Sequence, residues 1–158
     1  MEALWTRFYS LTLRFGELLY KDKAIGKDIR AYSDLAFAFS RERNPYLFNA
    51  DLAGGAPLNV GVYAFSWLSL IACHHPDNNK EYPSLILSAM MKTIDTGVDK
   101  NMSFTMMWDK PRIMTVGTCG IGIATPPDVT VRFQGELGDL IIPVSSAPQV
   151  ARQGRRSL

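Results

Sequence analysis

Possible metal ligands are concentrated at one place in the chain, where Cys73, His74 and His75 are followed by Asp77. Zinc sites in proteins usually take three or four ligands of these types, arranged as two spaced pairs. A second pair is missing from the sequence, because Cys119 stands alone and the chain has no other histidine. We therefore interpret Cys73 as a buried residue that ends a strand and the two histidines as turn residues, and we expect no metal and no cofactor.

Cys119 is the second residue that could do chemistry, because glycines flank it in the segment Gly117-Thr118-Cys119-Gly120. This segment resembles the nucleophile turn of chymotrypsin-like viral cysteine proteases. In such a turn, backbone N–H groups face the oxyanion and a histidine activates the thiol. One of the two histidines could be the base, with Asp77 or Asp95 to orient it. The chain is short for a double barrel, so we favour a glycine-rich strand in which Cys119 is a small hydrophobic residue.

The three glycines in residues 117–122 could be taken for a dinucleotide-binding fingerprint. That fingerprint requires a helix directly after the glycines, and Pro126 and Pro127 do not allow one here. The sequence contains no P-loop, and its carboxylates are scattered without an evident pair for acid–base catalysis. We therefore predict no catalytic, cofactor-binding or metal-binding residue, and a protein that is not an enzyme.

Composition and charge describe an ordinary globular chain with a basic end. Of its 158 residues, 47% are hydrophobic and 20% are charged, which is typical of soluble domains. The formal net charge is +2, and residues 151–158 contribute three arginines and no acid. We predict one domain over residues 1–148 and a flexible basic tail over 149–158, in which Arg152, Arg155 and Arg156 are candidates for contact with phosphate or a membrane. No run of 18 apolar residues predicts a transmembrane helix.

Periodicity predicts two helices and about six strands. Large residues alternate over 5–15, which favours a strand, and the apolar run 60–73 favours a second, central strand. Ser33 is a plausible N-cap for a helix over 33–43, and the four-residue spacing of Ile86, Met90 and Ile94 predicts another helix over 85–94. Four short strands complete the pattern, over residues 102–108, 113–123, 129–133 and 140–144. The fold class is therefore α+β, a mostly antiparallel sheet of five or six strands with two packed helices.

Two segments resemble the matrix proteins of rhabdoviruses. One is the aromatic segment Phe8–Arg14 followed by Arg30-Ala31-Tyr32-Ser33-Asp34-Leu35-Ala36-Phe37-Ala38, and the other is Leu58-Asn59-Val60-Gly61-Val62-Tyr63. The first is similar to a strand and an Arg-x-Tyr-Ser-Asp-apolar helix of those domains, and the second to a later strand. Together they cover about a third of the chain, and the order of the two segments agrees.

This resemblance implies a divergent viral structural protein in the virion, in the host cytoplasm or nucleus and at host membranes. Such a protein self-associates, condenses the ribonucleoprotein and links it to the envelope during assembly and budding. Its partners would be copies of itself, the viral nucleocapsid, an anionic membrane and RNA without sequence preference. The candidate self-association residues are Trp5, Phe8, Tyr9, Leu52 and Pro57. The alternatives are a small viral cysteine protease and an RNA-binding coat or accessory protein.

Overall fold

A computed structural model describes residues 4–27, 29–126, 130–143 and 152–153 of the chain. Two α-helices, α1 (Ser10–Gly16) and α2 (Val62–Cys73), each join a π-helical turn, Glu17–Lys21 after α1 and Pro57–Gly61 before α2. Short 3-10 turns occupy Trp5–Phe8, Pro45–Phe48 and Ala50–Leu52. The strands are β1 (Ile29–Ala36), β2 (Leu85–Lys92), β3 (Asp99–Trp108), β4 (Ile113–Gly120), β5 (Val131–Gly135), β6 (Gly138–Ile142) and the two-residue β7 (Arg152–Gln153).

The strands form one mixed sheet in the order β2-β3-β4-β1-β5-β6-β7. β1 pairs in parallel with β4, with Ala31 opposite Thr115, and every other pair in the described sheet is antiparallel. The parallel pair lies at the centre of the sheet. The predicted fold class is confirmed: an α+β fold with a mostly antiparallel sheet and two helices.

The helices cover one face of the sheet and form the main core with it. Ala64, Leu68 and Ile71 of α2 are buried against the inward residues of β1, β3 and β4. Phe15 of α1 joins the same core, where its ring centroid lies 6.2 Å from Trp67 and 5.4 Å from Phe133. On β1 the inward side chains alternate with partly exposed ones, so the two sides of this strand face different surroundings.

One helical stretch in the described residues, Ala50–Cys73, is long and apolar enough by length and composition to span a membrane, with a mean hydropathy of 1.4. The stretch is not one continuous helix, because Ala53 (φ 55°) and Gly55 (φ 112°) have left-handed backbone angles. Leu68 and Ile71 are buried in the main core. The apolar character of α2 is therefore explained by its place between the sheet and the N-terminal helix.

Two segments predicted as strands are helical. Over 5–15 the structure has a 3-10 turn and α1, and the buried residues Thr12, Phe15 and Leu19 follow helical rather than alternating spacing. Over 60–73 it has α2, which is longer than most strands. A run of this length with apolar residues on all sides is typical of a buried helix.

Two segments predicted as helices are strands. Of the predicted helix over 33–43, residues 33–36 continue β1, because alternate side chains from Ile29 onward are buried against the helices. Residues 37–43 are a loop that ends in a turn. Residues 85–92 form the edge strand β2, in which every side chain is exposed. With no buried face, β2 carries no alternating pattern. Its pairing with β3 overrides the helical preference of its Leu, Ala and Met residues.

The four later strands are close to their predicted positions, as β3 to β6. Part of the predicted strand 129–133 and the end of 140–144 lie outside the described residues. The predicted boundary between a domain over 1–148 and a tail over 149–158 stays a prediction. Most of that tail lies outside the described residues, and Arg152–Gln153 pairs with β6 as β7.

Candidate functional site

Cys119, the candidate nucleophile, is buried in a small second core with Val60 and Ile121. A Cβ atom added at Gly61 would lie 2.9 Å from its Sγ, so the thiol fills the space beside the turn before α2. Burial raises the pKa of Cys119 to about 11, whereas a catalytic thiol needs a lowered pKa. The protease alternative is therefore wrong, and the interpretation of Cys119 as a small hydrophobic residue on a strand is confirmed.

The histidine cluster lies at the C-terminal end of α2. The Nδ1 atom of His75 accepts a hydrogen bond of 3.1 Å from the backbone N–H of Asp77, and the imidazole packs edge-on against Tyr20 at 5.3 Å. Cys73 is exposed, not buried as predicted, because it ends a helix rather than a central strand. Within the ranges that the structure describes, no three possible metal ligands come together.

The glycine-rich segment 117–122 does not fit a dinucleotide. It belongs to β4 and the turn after it, where a Cβ atom at Gly117 would lie 2.2 Å from the ring of Phe104. The N–H of Ile121 donates to the carbonyl of Lys100 at 3.1 Å, so it is used within the fold. A pyrophosphate requires free N–H groups at the start of a helix. The segment therefore packs within the fold and does not hold the pyrophosphate of a dinucleotide.

A cavity of about 410 Å³ lies between β1 and the beginning of α2. Asn59, Tyr63 and Trp67 line it from one side, because residues four apart share a face of a helix. Ser33 and Leu35 line it from β1, because alternate residues share a face of a strand. Its size is within the range of about 300–1,000 Å³ that small-molecule sites occupy.

Aromatic rings and uncharged polar groups make up much of the cavity wall. None of the described residues that line it carries a formal charge. The rings of Phe37 and Phe39 lie 5.5 Å apart. Asn59 donates from Nδ2 to the carbonyl of Gly55 at 2.8 Å, which ties this wall to the segment that precedes the π-helical turn. The aromatic residues of the lining are Tyr9, Phe37, Phe39, Tyr63 and Trp67.

Two residues of the cavity lining carry buried polar groups without a partner among the described residues. Five buried side-chain polar atoms in the described residues have no hydrogen-bond partner, and Ser33 Oγ and Thr130 Oγ1 are the two that line this cavity. Buried polar groups are usually paired, so such exceptions indicate a missing partner. We therefore take this cavity as the candidate functional site.

The predicted self-association residues lie in several elements of the described fold. Phe8 is 83% exposed beside α1, and Leu52 is exposed on a separate 3-10 turn. Tyr9 lines the candidate cavity, Pro57 lines a different groove beside α2, and Trp5 lies in the first 3-10 turn. Of the predicted phosphate contacts, Arg152 lies in β7, and Arg155 and Arg156 lie outside the described residues.

Sequence reasoning missed this cavity because it assigned the wrong elements to its walls. Ser33 was expected to cap a helix, whereas it points inward from β1. Tyr63 and Trp67 belong to the run 60–73 that was predicted as a strand, and they share a face in either element, because residues four apart lie on the same face of a strand and of a helix. The alternation of Ile29, Ala31 and Ser33 was the signal that could have located the first wall.

Comparison with known proteins shows relatives among oxidoreductases. No protein-family model matches the chain. The chain is 30% identical over 153 residues to D-xylose 1-dehydrogenase (NADP(+)) of Hypocrea jecorina, a match that covers 89% of this chain and 38% of that enzyme. It is 29% identical over 131 residues to trans-1,2-dihydrobenzene-1,2-diol dehydrogenase of Danio rerio, which covers 83% of this chain and 36% of that enzyme. The chain therefore spans less than half the length of these relatives.

A solved structure of an oxidoreductase has a fold similar to that of this chain. An aldose-aldose oxidoreductase from Caulobacter crescentus, complexed with glycerol, matches 93% of this chain and 42% of its own chain, with a TM-score of 0.68 and 17% sequence identity. At this identity the likeness concerns the fold.

These matches correct the functional prediction. The resemblance to rhabdovirus matrix proteins is wrong, because the similar proteins are dehydrogenases and the segment Leu58–Tyr63 is helical rather than a strand. The expectations of a non-enzymatic viral structural protein, of budding and of an RNA-binding alternative are wrong for the same reason. The predicted partners are wrong as well, namely further copies of a matrix protein, a viral nucleocapsid, an anionic membrane and RNA. No feature of the described residues bears on the predicted localisation. The chain has the fold of one part of a known oxidoreductase structure.

Proposed function

We propose that this chain forms the substrate-binding part of an NAD(P)-dependent oxidoreductase that acts on a small hydroxylated compound. The observation that carries the proposal is the similarity to D-xylose 1-dehydrogenase, which extends over 89% of the chain. The second relative acts, by its name, on a dihydrodiol. Both substrates are neutral molecules with adjacent hydroxyl groups.

The candidate cavity supports this proposal through its chemistry. Its aromatic side chains offer apolar faces to the carbon skeleton of a ligand, and its hydroxyl and amide groups offer hydrogen bonds to polar substituents. Since the glycine-rich segment 117–122 does not fit a pyrophosphate, the proposal assigns the substrate and not the nicotinamide cofactor to the described residues. When bound to the complete enzyme, that cofactor would accept or supply the hydride.

Titration of the ¹⁵N-labelled chain with D-xylose and, separately, with NADP⁺ tests the proposal. We expect D-xylose to shift the amide signals of Tyr63 and Trp67, and NADP⁺ to shift no signal in a saturable manner. The variant Tyr63→Ala removes one wall of the cavity and should weaken the effect of D-xylose at least severalfold.

Tyr82→Ala is the matched control, because Tyr82 is 91% exposed and does not line the cavity. It should bind D-xylose as the unchanged chain does. The proposal is wrong if neither D-xylose nor a cyclic vicinal diol such as trans-1,2-cyclohexanediol shifts the cavity signals. Saturable binding of NADP⁺ would contradict the assignment of the cofactor to another part of the enzyme.

A further inference from the structure

Two residues that line the cavity have hydroxyl groups without a hydrogen-bond partner among the described residues. Ser33 is 3% exposed and Thr130 is 8% exposed, and neither Oγ atom makes a hydrogen bond with another residue that the structure describes. Both side chains line the candidate cavity. Water gives a hydroxyl group its hydrogen bonds in the unfolded chain, and burial without replacement is unfavourable. The arrangement is therefore stabilised by any guest that supplies the missing bonds.

The backbone holds the two residues as neighbours. The N–H of Asp34 donates to the carbonyl of Thr130 at 2.8 Å, and Ser33 is opposite Val131 in the ladder between β1 and β5. The N–H of Thr130 in turn donates to the carbonyl of Ile142 at 2.8 Å. Because these bonds fix both backbones, the hydroxyl groups can rotate but cannot move to a different environment. Both residues therefore line the cavity from fixed backbone positions.

The pair has a definite chemical preference. A serine or threonine hydroxyl can donate one hydrogen bond and accept others, which complements a ligand hydroxyl that does the same. A carboxylate or phosphate would have to leave water without a cation to meet it, because the described residues of the lining are uncharged. The side chain of Asp34 does not change this, since Asp34 Oδ1 accepts a hydrogen bond of 2.5 Å from Thr118 and Asp34 lines a different groove.

We propose that Ser33 and Thr130 bind a hydroxyl group of the substrate and make the site specific for neutral hydroxylated compounds over their acidic counterparts. This inference rests on the proposed function, and it adds which residues read the substrate and which charge state they accept. The two residues position the ligand and need not touch the reacting atoms.

The variants Ser33→Ala and Thr130→Val remove the hydroxyl groups with little change of volume. Because these groups are unpaired, their removal should leave the fold intact, which thermal unfolding checks. We expect each variant to raise the dissociation constant for D-xylose about three- to tenfold, the effect of losing one hydrogen bond. D-xylonate, which carries a carboxylate on the same carbon chain, should bind the unchanged chain at least tenfold more weakly than D-xylose.

Thr115→Val is the matched control. Thr115 is also fully buried with an unpaired Oγ1, and it does not line the cavity. Its variant should bind D-xylose with unchanged affinity. If Ser33→Ala and Thr130→Val also bind D-xylose unchanged, or if D-xylonate binds equally well, the inference is wrong and the proposed function stands. If neither D-xylose nor trans-1,2-cyclohexanediol binds the unchanged chain, the proposed function fails and the inference fails with it.

Discussion

At the scale of single residues, the two cysteines differ in their surroundings more than in their sequence context. Cys73 is exposed at the end of α2, whereas Cys119 is buried and burial raises its pKa to about 11. The reactive species of a cysteine is the thiolate. The folded chain should therefore present one reactive thiol and one inert thiol at neutral pH.

We expect Ellman's reagent to titrate a single thiol in the folded chain near neutral pH and both thiols in concentrated urea. In the variant Cys73→Ser the folded chain should react only as fast as it unfolds, because Cys119 becomes accessible only then. Rapid reaction of two thiols in the folded chain would show that Cys119 lies in an accessible cleft.

His75 links the stability of the chain to pH. Burial lowers its pKa from the usual value of about 6.5, and the nearby carboxylate of Asp77 opposes this shift only in part. A histidine with a lowered pKa in the folded state binds its proton more readily when unfolded. Its contribution to stability is therefore complete above about pH 6.5 and is lost as the pH falls through the lower, folded-state pKa.

Urea unfolding at neutral pH and at mildly acidic pH should show this loss. We expect the unchanged chain to unfold at a lower urea concentration in acid, and His75→Gln to lose less stability over the same interval. His74→Gln is the control, since no such hydrogen bond joins it to Asp77 in the described residues. Equal pH dependence in all three proteins would exclude His75 as the cause.

At the scale of elements, the helices cover one face of the sheet, whereas the edge strand β2 is exposed. All eight residues of β2 are exposed, whereas Met106 on the neighbouring β3 is 0% exposed in the main core. Met90 of β2 and Met106 of β3 are therefore the same type of side chain in an exposed and in a buried environment. The free energy that each contributes should follow its burial and not its type.

We expect Met106→Ala to lower the free energy of unfolding by about 2–5 kcal/mol, because it removes buried contacts and leaves a cavity. Met90→Ala should change it by less than about 0.5 kcal/mol, the usual range for an exposed position. Chemical denaturation of both variants gives the comparison. A cost at Met90 similar to that at Met106 would mean that β2 is covered in solution.

The fold class could be predicted from sequence, although four individual elements could not. The number of helices agrees, because two were predicted and the described residues contain two α-helices. Their positions do not agree: 5–15 and 60–73 were predicted as strands and are helical, whereas 33–36 and 85–92 were predicted as helices and are strands. Whether each of these segments forms a helix or a strand depends on which of its side chains are buried, and burial is a property of the tertiary structure. The later strands were predictable because Phe104, Met106 and Trp108 alternate with partly exposed or exposed neighbours, as a half-buried strand requires.

At the scale of the whole molecule, the candidate site depends on contacts between distant parts of the sequence. Ser33 and Thr130 are almost a hundred positions apart, and no local pattern joins them. The types of chemistry that sequence motifs reveal are clustered ones, such as paired ligands or glycine turns. The residues of an uncharged cavity with scattered hydroxyl groups form no such cluster in the sequence. They can be recognised as one site only in the folded structure, where the sheet brings them together.

The central position of β1 has a consequence for the way the chain acquires its structure. β1 is synthesised before its two partners, β4 and β5, which begin only at residues 113 and 131. A nascent chain on the ribosome therefore carries β1 with unpaired edges until β4 and β5 have been made, whereas β2 and β3 can form their hairpin as soon as both have been made. Sheets with such long-range pairing nucleate slowly. Chaperone binding during translation is expected to matter most for this early strand.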